Sequence, residues 1–267
     1  MRGKRAIIRS VGLVGDLLEK SARATPATVE HHRGTGWWLR HTDNGAWWSG
    51  AVLAHGPVND LEQRVDAAER FYAERDAVPR FQICPDCPGP LDQILAERGY
   101  RWDAAVLLLT AVATPDGGQG RTGSSVHVDD SLGPEWLAVL SSTNGPETDV
   151  ERETHLLHGI DGPCAYVTVF IGPDPVGIGR AVVDGTWAGI FNVATTPQAR
   201  RRGVGRQVLS ALGSWAEKRA VPHLYLQVEH ANEEACRFYN AAGFRQLAAY
   251  HYRVLDRVGE RRRSGPA

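Results

Sequence analysis

The chain has 267 residues, 30 basic against 31 acidic side chains and 42% hydrophobic residues, a globular composition long enough for about two ordinary domains. No stretch reaches the roughly 18 apolar residues of a membrane span, and Arg9, Asp16 and Glu19 interrupt any apolar core of a secretory signal, so a cytoplasmic protein without a membrane partner is expected. The near-zero net charge offers no dedicated nucleic-acid surface, and the densest basic runs are 200–202 and 261–263.

In chain order, residues 13–24 suit a helix, and 37–41 and 46–49 flank Asn44-Gly45, a hairpin signal with aromatic arms. Leu61, Val65, Ala68 and Tyr72 recur at helical spacing. Residues 81–83 read as a short strand, 91–98 as a helix stopped by Gly99, and 104–110 as a buried strand. Cys84-Pro85-Asp86-Cys87 supplies half of a zinc-site spacing, but Cys164 and Cys236 stand apart and form no second pair, so a reduced loop with no metal is expected.

The Gly/Ser-rich stretch 114–125 reads as a linker between an N-terminal domain (1–113) and a C-terminal domain (126–256), with 257–267 a flexible tail. In the C-terminal part, strands are expected near 164–170, 176–183 and 189–193. Val204, Val208, Leu212 and Trp215 share a helical face, 224–226 is a strand, 232–242 a helix stopped by Gly243, and the last strand ends at 252–255. Phe81 to Gly99 spans 18 residues and Leu224 to Gly243 spans 19, with Gly99-Tyr100 matching Gly243-Phe244, which indicates a divergent internal duplication. That alignment puts Leu95 at the position of Tyr239 and Pro88 at that of Asn232.

Between the strand at 189–193 and the helix after it stands Arg200-Arg201-Arg202-Gly203-Val204-Gly205-Arg206. Glycines there let backbone approach a ligand, a helix start presents unpaired N–H groups, and its dipole favours an anion. Neither a P-loop nor a dinucleotide fingerprint fits, because the Lys-Ser/Thr of one and the third glycine of the other are missing.

The Arg-x-x-Gly-x-Gly pattern after a strand, followed by Asn232, Ala235, Tyr239 and Gly243-Phe244, resembles the GNAT acetyltransferase superfamily over about residues 126–255. The resemblance implies an α/β fold of the α+β type, with a mixed, splayed sheet flanked by helices and a degenerate GNAT-like copy in the N-terminal half. It further implies acetyl-CoA as co-substrate and no metal. The pyrophosphate would sit on Arg200, Arg201, Arg202, Gly203, Val204, Gly205 and Arg206, the pantetheine on Asn192, Val193 and Ala194, with Asn232, Ala235 and Phe238 along the channel and Tyr239 as general acid. Glu229 is taken as a candidate general base, with His230, Glu151, Glu153 and His155 also chemically suitable and the choice among them left open. The implied reaction is direct N-acetylation of an amine on a small molecule or a protein; the alternative is a non-catalytic acyl-CoA-binding or sensing module. The sequence does not specify an oligomeric state.

Overall fold

In a computed structural model the described residues are 2–33, 37–42, 49–56, 58, 60–113, 123–144 and 149–255. In chain order the elements begin with α1 (Arg2–Ala24), β1 (Val29–Arg33), β2 (Trp37–His41), β3 (Val52–Ala54), α2 (Leu61–Ala73), β4 (Arg80–Ile83), α3 (Leu91–Glu97) and β5 (Arg101–Val112). There follow β6 (Ser124–Asp129), α4 (Pro134–Asn144), α5 (Val150–His158), β7 (Cys164–Ile171), β8 (Asp174–Asp184), β9 (Trp187–Thr195), α6 (Val204–Glu217), β10 (His223–Glu229), α7 (Glu233–Ala241) and β11 (Arg245–Val254). Among the described residues no helix is long and apolar enough to cross a membrane.

The chain divides into two compact units. Of the described residues, the first takes 2–16, 27–106 and 249–255, and the second takes 17–26 and 107–248. This division differs from a single break at 114–125, because α1, β5 and β11 each pass from one unit into the other. Ser124 and Ser125, expected in the linker, instead begin β6: pairing of Ser124 with Ile171 and Ser125 with Phe170 gives their backbone groups partners in β7. Residues 114–122 and the tail 257–267 lie outside the described residues, as do 43–48, which hold most of the second arm of the expected hairpin.

In the first unit the strand order is β1-β2-β3-β4-β11. β2 lies where expected and pairs antiparallel with β1 and with β3, Trp38 opposite Leu53. β3 and β4 are parallel, and β11 closes against β4 antiparallel, from His251 opposite Ile83 to Val254 opposite Arg80. The core is aromatic: Phe81 meets Trp37 and Tyr100 edge-on at 5.9 and 5.5 Å, and Leu91 and Leu95 of α3 are fully buried beside them.

In the second unit the order is β5-β10-β9-β8-β7-β6, with β6 to β9 antiparallel and β9 and β10 parallel. Helix α6 buries Val204, Val208, Leu212 and Trp215, each aliphatic side chain stabilising the fold by roughly 1.5–3 kcal/mol. Two glycines of β8 set how closely it packs. A Cβ on Gly177 would stand 2.2 Å from Val204 Cγ1, and one on Gly179 2.3 Å from Val208 Cγ1, so only glycine admits the helix at this depth.

The duplication expected from the spacing is visible in the repeated run β3-α2-β4-α3-β5 and β9-α6-β10-α7-β11. Helices α3 and α7 end alike. Gly99 and Gly243 take φ of 87° and 95°; Gly99 N–H donates to Ala96 O and Tyr100 N–H to Leu95 O, as Gly243 N–H does to Asn240 O and Phe244 N–H to Tyr239 O. The matched bonds place Leu95 in register with Tyr239. The closing strand of each repeat serves the other unit: β11 lies beside β4, while β5 neighbours β10, where Ala113 N–H donates to Pro222 O at 2.9 Å.

Candidate active site

Strands β9 and β10 pair over three positions, from His223 opposite Trp187 to Tyr225 opposite Gly189, and then part. β9 continues to Thr195 while still bonded to β8 on its far side, with Ala194 opposite Ile178. Its edge towards β10 therefore carries N–H and C=O groups that no neighbouring strand among the described residues takes up, and such an edge can bind an extended amide-bearing ligand.

A bulge interrupts β9 at the opening. Ile178 faces Ala194 and Arg180 faces Phe191, so Asn192 and Val193 share the place opposite Gly179, and Asn192 adopts a left-handed φ of 53°. Arg180 holds this conformation. Fully buried in the middle of β8, it donates from Nε to Asn192 Oδ1 at 3.2 Å and from Nη1 to Ala24 O at 2.9 Å, with its guanidinium 4.7 Å over the Phe191 ring. Burial pulls the Arg180 pKa down, and Tyr166, Cys164 and Glu153 pull it back up. Sequence reasoning passed over Arg180. The signal was a single charged residue inside the apolar run 176–183.

From β9 the chain passes through a 3-10 turn, Pro197–Ala199, into the arginine-glycine segment. Arg201 and Gly203 both take left-handed φ, 61° and 82°, and Gly203 caps α6 with no side-chain hydrogen bond. Other helices among the described residues are capped by side chains: Asp60 accepts from Gln63 N, Asp149 from Arg152 N and Asn232 from Ala235 N. The first N–H groups of α6 thus remain available to an anion. Arg200, Arg201, Arg202 and Arg206 are exposed around them, Arg201 reaching Glu234 at 3.5 Å, while Val204 is buried under Gly177. Gly205 has a second role, since a Cβ there would approach Phe238 Cζ to 3.1 Å; its absence lets α7 pack against the first turn of α6.

Helix α7 places Ala235, Phe238 and Tyr239 half-buried against the second unit's core, while Asn232 is exposed with its side-chain oxygen 3.0 Å from Ala235 N. The Tyr239 ring sits 5.2 Å from Phe238 and 5.9 Å from Phe244. Its hydroxyl has no hydrogen-bond partner among the described residues, and burial pushes its pKa up to about 12. Near neutral pH it is a protonated phenol with a proton to give.

The candidate bases separate by environment. Glu229, His230, Glu151 and His155 are exposed. Glu153 on α5 is half-buried; burial raises its carboxyl pKa above the usual range, and Arg180 opposes that rise. Sequence reasoning also missed a pocket of about 210 Å³ between α4, β6 and β7, lined by His127, Asp129, Glu135, Trp136, Tyr166 and Phe170.

The profile of a family described as "Probable histone acetyltransferase Rv0428c C-terminal" matches residues 16–254. The uncharacterized N-acetyltransferase YobR of Bacillus subtilis is 32% identical over 215 residues, which cover 79% of this chain and 84% of that protein. The ribosomal protein bS18-alanine N-acetyltransferase of Escherichia coli is 39% identical over 59 residues, 22% of this chain and 40% of the relative. Among solved structures, a GCN5-related N-acetyltransferase from Kribbella flavida superposes with a TM-score of 0.67 at 14% identity, covering 90% of this chain and 94% of that one. A tandem GNAT protein from the clavulanic acid biosynthesis pathway gives 0.62 at 11% identity, covering 82% and 73%. With its repeated β-α-β-α-β run, its parted parallel strands and this match over most of its length, the chain belongs to the Rv0428c C-terminal family of GNAT acetyltransferases.

Proposed function

We propose that the second unit moves an acetyl group from acetyl-CoA to a primary amine by direct attack. The observation that carries this reading is the α6 N-terminus, left without a side-chain cap where the chain arrives from the open edge of β9. The pyrophosphate binds the N–H groups and arginines of 200–206, and the pantetheine runs along Asn192, Val193 and Ala194 like an added strand, with Asn232, Ala235 and Phe238 flanking it. The bulge at Asn192 leaves a donor for the thioester carbonyl. A neutral amine attacks that carbonyl and the C–S bond breaks. The CoA thiolate takes the Tyr239 proton, and the amine gives up its own proton to Glu153, which we assign as base ahead of Glu229 because of its half-buried setting.

The first unit is read as a degenerate copy without this chemistry. Its helix α2 already has the Asp60 carboxylate on its N-terminus, where a phosphate would be repelled, and Leu95 occupies the place of Tyr239.

Calorimetry with acetyl-CoA should therefore give one site per chain. An Arg200→Glu/Arg206→Glu variant should bind about tenfold or more weakly, since each charge-assisted hydrogen bond is worth ~1.5–3 kcal/mol. Both side chains are exposed, so folding is unaffected. Aspartates at Gly203 and Gly205 are a poorer test, because they meet a left-handed φ and the Phe238 ring. Unchanged affinity, or two equivalent sites, overturns the assignment.

For the base, kcat/KM should rise with pH through the Glu153 pKa, because only the carboxylate accepts a proton. Burial places that limb above the ordinary carboxylate range. Glu153→Gln should remove the limb and Glu229→Gln should keep it; the reverse result returns the role to Glu229. The acceptor, a small molecule or a protein, is to be found by screening amines for free-thiol release. Protein amines come first, in view of the family description and the ribosomal-protein relative. Thiol release with any amine also excludes a non-catalytic sensing module.

A further inference from the structure

The first unit gathers a second set of chemically active side chains that acetyl transfer does not use. Cys84 and Cys87 leave β4 in a tight turn closed by Cys87 N–H to Cys84 O at 3.0 Å. His55 arrives from the end of β3, and the next residue, Gly56, fastens that loop to the turn by donating its N–H to Asp86 O at 3.4 Å. Gly56 is left-handed, with φ of 83°, so the chain can bend sharply away after His55. The Gly15 N–H donates to the Asp86 carboxylate and anchors the turn from another side. As a result one ring nitrogen of His55 and the sulfurs of Cys84 and Cys87 lie within 4.8 Å of one another, with His55 and Cys84 buried and Cys87 half-buried.

The separation of the two sulfurs is that of a coordination shell. Two thiolates on a tetrahedral zinc ion, each at ~2.3 Å, stand about 3.8 Å apart. Cys84 Sγ and Cys87 Sγ are 3.7 Å apart, well beyond the ~2.05 Å of a disulfide. The donor set of one imidazole and two thiols is borderline to soft, suiting zinc over magnesium or calcium. We propose that His55, Cys84 and Cys87 form a binding site for one zinc-type divalent ion, with the fourth position open to solvent or an added ligand. The ion would tie the β3 and β4 exits together, joining positions that the sequence separates by 29 residues.

The hydrogen bonds fit that role. Cys84 N–H donates to Cys87 Sγ at 3.3 Å and Cys87 Sγ lies 3.4 Å from Gln82 O, so the backbone of the turn holds the second sulfur beside the first. Binding an ion exchanges each thiol proton still held, which leaves to solvent, for a metal–sulfur bond, so two thiolates offset the two positive charges.

The test uses the full-length protein, stripped with a chelator under reducing conditions and titrated with Co²⁺. Ligand-field bands of tetrahedral strength and a thiolate-to-cobalt charge-transfer band should saturate at one ion per chain and disappear when Zn²⁺ is added. Thiol titration reads the same site without any variant: all four cysteines should react in the stripped protein, and Zn²⁺ should protect Cys84 and Cys87. Cys87→Ser should abolish the cobalt charge-transfer band at one equivalent, and Cys164→Ser/Cys236→Ser should leave it intact. Weak octahedral bands without charge transfer, no protection by Zn²⁺, or dependence on Cys164 or Cys236 overturns the proposal. So does a Cys84–Cys87 disulfide that re-forms in the presence of Zn²⁺.

Discussion

Replacing Tyr239 by Phe is expected to lower kcat by roughly tenfold to a thousandfold and to leave acetyl-CoA affinity within a few-fold. The substitution removes one hydroxyl and keeps the ring against Phe238 and Phe244. Because that hydroxyl bonds to no other described residue, thermal stability should change by less than ~1 kcal/mol. The pKa raised to about 12 keeps the phenol protonated through the working range, so loss of activity cannot come from a shifted titration. Water acting as substitute acid sets the lower limit. Kinetics on a verified acceptor, with chemistry limiting, should be read beside the melting temperature. Unchanged turnover removes Tyr239 from the mechanism, and a fall in melting temperature with proportionate loss of active protein assigns it to the core instead.

Truncating Arg180 to Ala should be the most destabilising single change near the site, at about 3–5 kcal/mol. It leaves Asn192 Oδ1 and Ala24 O without their donor, empties a buried volume beneath Phe191, and frees a left-handed residue to relax. For a chain of this size the melting temperature should fall by about 6 °C or more. Arg180→Met, which keeps most of the volume, should lose less stability but as much kcat as Arg180→Ala, since in the proposed mechanism the bulge and not the cavity positions the thioester. Equal activity in a folded Arg180→Met protein shows that Asn192 keeps its place unaided.

Much of the framework of the candidate site could be read in the sequence because its determinants are local. The glycine-rich entry to α6, the Asn232 cap and the Gly243 stop each act within one turn of their own helix, so residue type and spacing suffice to place them. What escaped depends on contacts between distant segments. Arg180 matters through Asn192, across a strand pair, and through Ala24, 156 residues away. The Cys84-x-x-Cys87 pair has no second cysteine pair to complete it, and the residue that joins it is a single histidine from another strand. Ser124 and Ser125 have linker composition, yet β7 enlists their backbone. Strand partners escaped for the same reason: the residues of β4, buried on both faces, mark it as a strand and say nothing of β11 as its neighbour.

That neighbour has a consequence for how the polypeptide is made. Ribosomes release the N-terminus first, and β4 emerges long before its partner: Arg80 pairs with Val254, 174 residues later. Until then the nascent chain carries an unpaired strand edge, the situation in which edge-to-edge aggregation competes with folding. The closing pair is also of very high sequence separation, so it comes late and slowly. A fragment ending before β11, or one beginning after β5, should accordingly collect on chaperones or in inclusion bodies, although each would contain one complete β-α-β-α-β run or the greater part of it. During synthesis the sheet of the first unit therefore waits, one edge bare, until 174 further residues have been translated.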